Sequence, residues 1–191
     1  MIRRVVWWSR LLVAVSMVFA VLVPSAGAQG AIRIIVLKSQ HLLEVVNGDR
    51  IVRLYRVSLG FTPFGPKQIR GDGRTPVGLY TVYDKRPSDR FRWFLALNYP
   101  SSGDADRAFK AGLISADTWA DIWLADKRGE RPPWSTALGG FVGIHGTGAG
   151  GRKGQLRLIS DWTDGCIALS DRDIDELYQV IPVGTTVEIR E

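Results

Sequence analysis

The sequence predicts a mainly β domain, an antiparallel sandwich or barrel-like core with peripheral helices. Strand-like apolar runs outnumber helical ones along the chain, at a spacing that suits such a core. The strongest turn signal, Asn47-Gly48-Asp49, separates two of those runs and makes the opening segment a hairpin. Once a leader is removed, residues 29–191 are enough for one domain with its own core.

That leader is residues 1–28, which read as a secretory signal peptide. Arg3, Arg4 and Arg10 give a positive start, Leu11 to Val23 is apolar, and Ala26-Gly27-Ala28 is a small-residue cleavage site. Cleavage is expected after Ala28, with export to the periplasm or cell envelope. The apolar run is shorter than the roughly 20 residues of a spanning helix, which weighs against an uncleaved anchor. No cysteine follows it as a lipoprotein would require.

Ile32 to Leu37, His41 to Val46 and Ile51 to Val57 read as an antiparallel meander, with His41 a surface or turn histidine. Residues 60–78, rich in Gly, Pro and basic residues, form a long loop. Leu79 to Tyr83 and Phe91 to Leu97 are the next strands. Ala105 to Lys110 and Ser115 to Asp126 are helical, Ser115 serving as N-cap and Trp119, Ile122 and Trp123 sharing a core-facing stripe. A charged linker from Lys127 to Trp134 leads to Phe141-Val142-Gly143-Ile144, a short buried strand with His145 just past its end. Gln155 to Ile159 reads as another strand. Ser170-Asp171-Arg172-Asp173 is a capping-box variant opening a helix through Ile174, Leu177 and Val180, which Pro182 and Gly184 end. Thr186 to Arg190 closes the domain as an alternating strand.

The net charge of +6 loses three arginines with the leader and becomes +3, too mild to imply nucleic acid as a partner. Weak attraction to an acidic envelope polymer is compatible with it. The single cysteine, Cys166, cannot form an internal disulfide, so in an exported protein it is either buried or used. Its neighbours favour use. Thr163-Asp164-Gly165 is a turn cluster that leaves backbone N–H groups off any ladder, and the N–H groups of Asp164, Gly165 and Cys166 are oxyanion-hole candidates. His145 is the candidate partner for the thiol. If the two form a thiolate–imidazolium pair, the cysteine pKa is expected below its free value; a neutral pair would show no such depression.

The loop Gly146-Thr147-Gly148-Ala149-Gly150-Gly151 spells the dinucleotide pattern G-x-G-x-x-G. Its context argues against that use, because a strand rather than a helix is read after it and no strand–helix–strand alternation surrounds it. A zinc site fares no better, since His41, His145 and one cysteine have no recognised ligand spacing. Neither cofactor nor metal is implied.

His145-Gly146-Thr147, then Thr163-Asp164-Gly165-Cys166, resembles the histidine and cysteine motif of the L,D-transpeptidase catalytic domain, the YkuD family. The 17 residues between His145 and Thr163 lie at the upper end of the family's spacing. Upstream, Thr75-Pro76-Val77-Gly78-Leu79-Tyr80 is similar to the family's T-P-x-G-x-[Y/F] segment. The resemblance makes residues 29–191 a catalytic domain of the family's β-rich fold. It implies a cysteine acyltransferase acting on peptidoglycan stem peptides through a thioester at Cys166, in wall crosslinking or remodelling. The acceptor is a stem-peptide amine, an amine of an envelope protein, or water. His145 would be the base, the Gly146 carbonyl its orienting group, and Thr163, Arg74 and Thr75 substrate-side residues. Where many members carry Arg and Asn two and four residues after the cysteine, this chain has Ala168 and Ser170. That departure resembles a YafK-like branch in which stem-peptide linkages are hydrolysed. A hydrolase on the same fold is therefore the alternative, and a non-catalytic wall-binding module the alternative from another class.

Overall fold

In the computed structural model, which describes residues 30–191, β1 (Ile32–Leu37), β2 (Leu42–Asn47) and β3 (Arg50–Arg56) form the antiparallel meander expected. Asn47 pairs with Arg50, so a two-residue turn joins β2 to β3, and Gly48 supplies the positive φ (60°) that such a turn needs at its first central position. The chain continues through β4 (Gly78–Ser88), β5 (Arg92–Leu97), α1 (Ser102–Lys110), α2 (Ala116–Arg128), β6 (Gly143–Gly146), α3 (Gly151–Arg157), β7 (Ile167–Leu169), α4 (Asp171–Val180) and β8 (Thr186–Arg190). The signal peptide read at residues 1–28 lies outside the described residues. Among the described residues, no helix is long and apolar enough to cross a membrane.

The strands make one sheet in the order β3-β2-β1-β8-β4-β5-β6-β7. All neighbours are antiparallel except β1/β8 and β6/β7. The sheet then nearly closes: just beyond β3, Ser58 exchanges backbone hydrogen bonds of 2.9 and 2.8 Å with Ala168 of β7. Closure satisfies groups that an open edge would leave unpaired. Ile34, Val36, Leu43, Tyr80, Leu95, Ile144, Val187 and Ile189 fill the interior, and α4 covers it with Ile174 and Leu177. Ser170 caps α4, accepting from the N–H of Asp173, and Ser115 caps α2 through Thr118. A smaller cluster of Ala105, Ala108, Ile122 and Leu138 holds α1 to α2.

Four readings of the sequence are corrected. The strand before the histidine is displaced: β6 begins at Gly143 and contains His145, while Phe141 sits outside it at φ 59°. Of the stripe on α2, Ile122 is fully buried but Trp119 only partly, and Trp123 is exposed beneath Lys127. Gln155 to Ile159 is not a strand. Gly151–Arg157 form α3 instead, and Leu156 and Ile159 face solvent, so the run has no apolar face to bury in a sheet. The parallel pair β6/β7 with α3 between is, moreover, a strand–helix–strand unit, which the sequence does not reveal around the glycine-rich loop.

Candidate active site

β6 carries His145 between Phe94 of β5 and Ala168 of β7 in the register of the sheet, and the imidazole is buried. Phe91 stacks on it at 4.1 Å between ring centroids and Trp162 meets it edge-on at 5.8 Å. His145 Nδ1 lies 2.7 Å from the carbonyl of Gly146. A carbonyl only accepts, so the proton belongs on Nδ1, and Nε2 is left as a lone pair. Burial lowers the histidine's pKa to about 4, against the opposing Gly146 bond, and the positive charges of Arg90 and Arg157 add to the depression.

Cys166 ends the Thr163–Gly165 turn, immediately before β7. As a residue it is half-buried, with Sγ directed at the carbonyl of Phe141 at 3.6 Å. Its aromatic surroundings still disfavour a thiolate. Burial pushes the thiol up to about 11; a backbone bond from Gly143 opposes this, Asp164 adds to it, and the charge of Lys67 opposes it again. Among the described residues, no hydrogen bond joins Cys166 to His145. Both shifts run towards the neutral forms, because apolar rings penalise the charged ones; of the two states the sequence leaves open, this environment favours the neutral pair over the thiolate–imidazolium pair.

Both side chains open on one cavity of about 320 Å³, whose walls include Phe91, Phe94, Phe141 and Trp162, with Arg90 and Asp164 as its charged members. Thr163 lines it too, while its buried hydroxyl donates to the Cys166 carbonyl (2.7 Å) and accepts from the Gly165 N–H (3.2 Å). The turn thus uses the Gly165 N–H internally, and the N–H groups of Asp164 and Cys166 are the ones left without such a bond among the described residues. Gly165 is at φ 129°, and a Cβ there would stand 2.5 Å from the carbonyl of Arg74. Arg74 and Thr75 support this turn from behind instead of lining the cavity. The Thr75 hydroxyl is buried and accepts from Gly60 N–H, and the Arg74 guanidinium lies beside Gly65.

The glycine-rich loop is occupied by the chain itself. Asp171 accepts from Gly148 N–H (2.8 Å), Gly150 N–H (3.0 Å) and the Thr147 hydroxyl (3.0 Å). A phosphate would have to displace that carboxylate, so the dinucleotide reading fails on contacts, although the topology it lacked is present. Among the described residues, no group of three or more His, Cys, Asp or Glu side chains could hold a metal. Sequence reasoning missed Arg90, Phe91, Phe94 and Trp162. Only Trp162 carried a signal, by standing next to Thr163.

A buried imidazole on β6 and a thiol just before the parallel strand β7, sharing one cavity of a nearly closed sheet, define a candidate cysteine-nucleophile site. Residues 31–189 match the L,D-transpeptidase catalytic domain, YkuD, and the chain belongs to that family. It is 31% identical over 127 residues to the probable L,D-transpeptidase YcfS of Escherichia coli (strain K12), across 66% of this chain and 36% of that protein. It therefore spans little more than a third of that relative's length. Among solved structures, the helical cell shape determining protein Pgp2 from Campylobacter jejuni has a TM-score of 0.59 at 21% identity, over 84% of this chain and 48% of its own. Bd1075 of Bdellovibrio bacteriovorus has a TM-score of 0.51 at 18% identity, over 87% and 50%. These two likenesses establish the fold.

Proposed function

We propose that this protein is an exported cysteine acyltransferase of the cell envelope, its residues 1–28 a signal peptide and residues 29–191 the catalytic domain, acting on peptidoglycan stem peptides. One observation carries the reading: the Gly146 carbonyl fixes the proton of His145 on Nδ1, so that a neutral Nε2 is available in the cavity that holds Cys166. As a substrate amide enters, Nε2 takes the thiol proton and the sulfur adds to the carbonyl carbon after the diaminopimelate residue. The oxyanion forms beside the N–H groups of Asp164 and Cys166. Collapse breaks the C–N bond, the departing D-alanine amine takes the proton from His145, and the stem remains as a thioester. A stem-peptide or envelope-protein amine then attacks the thioester, forms a new amide, and returns a proton to the sulfur. No cofactor enters any step.

Hydrolysis, with water as acceptor, is a second reading favoured by one feature: residue 168 is a buried alanine where many relatives carry arginine. Incubating the protein with purified muropeptides and reading products by mass decides between them. A crosslinked product or an exchanged terminal residue supports transfer, a shortened stem alone supports hydrolysis, and no product with any stem peptide overturns both.

A further inference from the structure

Arg90, the residue before Phe91, takes no part in the acyl-transfer steps, yet its backbone is closely held. Arg90 and Phe91 form the tip between β4 and β5, and that tip is docked on the glycine-rich loop. Gly146 N–H donates to the Phe91 carbonyl (3.0 Å), and a Cβ on Gly148, itself at φ 65°, would lie 1.9 Å from the Arg90 carbonyl. The loop's glycine thus admits the hairpin's backbone. The Arg90 guanidinium then lies over the Phe91 ring at 4.9 Å, and that ring lies over His145, giving a layered stack at the cavity's edge.

Three nearby arginines are engaged elsewhere. Arg92 pairs with Asp175, Arg86 with Asp84, and Arg157 donates to the Thr147 carbonyl. Among the described residues, Arg90 has neither hydrogen bond nor ion pair, although it lines the cavity. The other charged group there, Asp164, belongs to the nucleophile's own turn. Residue 168, two beyond the cysteine, is a buried alanine bridged to Ser58 and offers no charge to the cavity.

We propose that Arg90 binds a carboxylate of the acyl donor and selects donors that carry one, an inference that rests on the acyl-transfer reading above. A planar guanidinium with five donors, stacked on a ring and otherwise unpaired, matches a carboxylate's two oxygens. Burial is the main cause of the depressed His145 pKa, and a bound carboxylate would offset only the smaller part that the charge of Arg90 adds.

Two carboxylates flank the amide that is cleaved, that of diaminopimelate and that of the departing D-alanine, and the partner of Arg90 is one of these two. Three stem tetrapeptides separate them: one with both free, and one with each amidated. For an exposed charge-assisted contact, one of the two amidations should lower the wild-type kcat/KM on the order of tenfold, mainly through KM. Arg90→Gln should lower the rate on the free donor by a similar factor and become indifferent to that amidation, with Arg90→Lys intermediate and unfolding midpoints unchanged. A wild type indifferent to both amidations, or an Arg90→Gln variant that discriminates as the wild type does or loses equally on all three donors, overturns the inference while the acyl-transfer reading stands. A wild type that turns over none of the donors overturns that reading and the inference with it.

Discussion

Holding His145 neutral has a thermodynamic consequence that can be measured without substrate. In the unfolded chain an ordinary histidine takes a proton near pH 6.5, whereas in the folded protein burial delays protonation to about pH 4. Between those values the unfolded state binds more protons than the folded one, so stability falls as pH falls through that window. The full difference corresponds to about 3 kcal/mol, a large share of the 5–15 kcal/mol that typically holds a domain together. Urea unfolding of the wild type and of His145→Gln at intervals from pH 7.5 to pH 4 isolates the effect, because the carboxylates common to both proteins cancel in the difference. The variant will be less stable at neutral pH if the glutamine packs poorly, but the gap between the two should shrink by about 3 kcal/mol on acidification. Parallel stability curves would refute the argument, as would a histidine resonance assigned to His145 that titrates near pH 6.5.

Three further outcomes follow from the same geometry. Alkylation of Cys166 should be slow at neutral pH and keep accelerating towards the thiol's raised pKa of about 11, with His145→Ala leaving the shape of the profile unchanged; a plateau in mildly acidic buffer, lost in the variant, would restore the thiolate–imidazolium pair. Cys166→Ala should abolish turnover and thioester formation by mass while shifting the urea midpoint little, since the residue is half-buried and lies outside the core cluster; a large loss of stability would assign the cysteine to structure. Asp171→Ala should cost about 1–3 kcal/mol in urea unfolding, because it strips the partner from two loop N–H groups and the Thr147 hydroxyl; an unchanged midpoint would mean that water satisfies them equally well.

What the sequence disclosed was local. The meander, the caps at Ser115 and Ser170 and the closing strand each rest on turn chemistry or periodicity within a few residues, and the structure keeps them. What it concealed depends on partners distant in sequence. Leu156, Leu158 and Ile159 look strand-like, yet the segment is the end of the short helix that links β6 to the parallel β7, with Leu156 and Ile159 facing solvent. The charge state of the His145 and Cys166 pair was equally out of reach, since it is set by rings that converge from the β4–β5 tip, from β5 and from the segment before Thr163. Motif spacing carries no information about the polarity of that enclosure.

The glycine-rich loop joins these two levels. Read by pattern, Gly146 to Gly151 suggested a phosphate cradle; read by contacts, its N–H groups hold Asp171 at the start of α4, and Gly148 makes room for the Arg90 carbonyl. Both interactions converge on His145, because Gly146 supplies the carbonyl that fixes the imidazole's proton while its own N–H anchors the hairpin whose Phe91 covers the ring. A side chain at Gly146 would meet the Asp171 carboxylate and the Phe91 carbonyl at 2.8 and 2.9 Å, and one at Gly148 would displace the hairpin. The glycines are therefore required by how closely three segments of backbone must approach around one histidine, and a ligand for the loop is not needed to explain them.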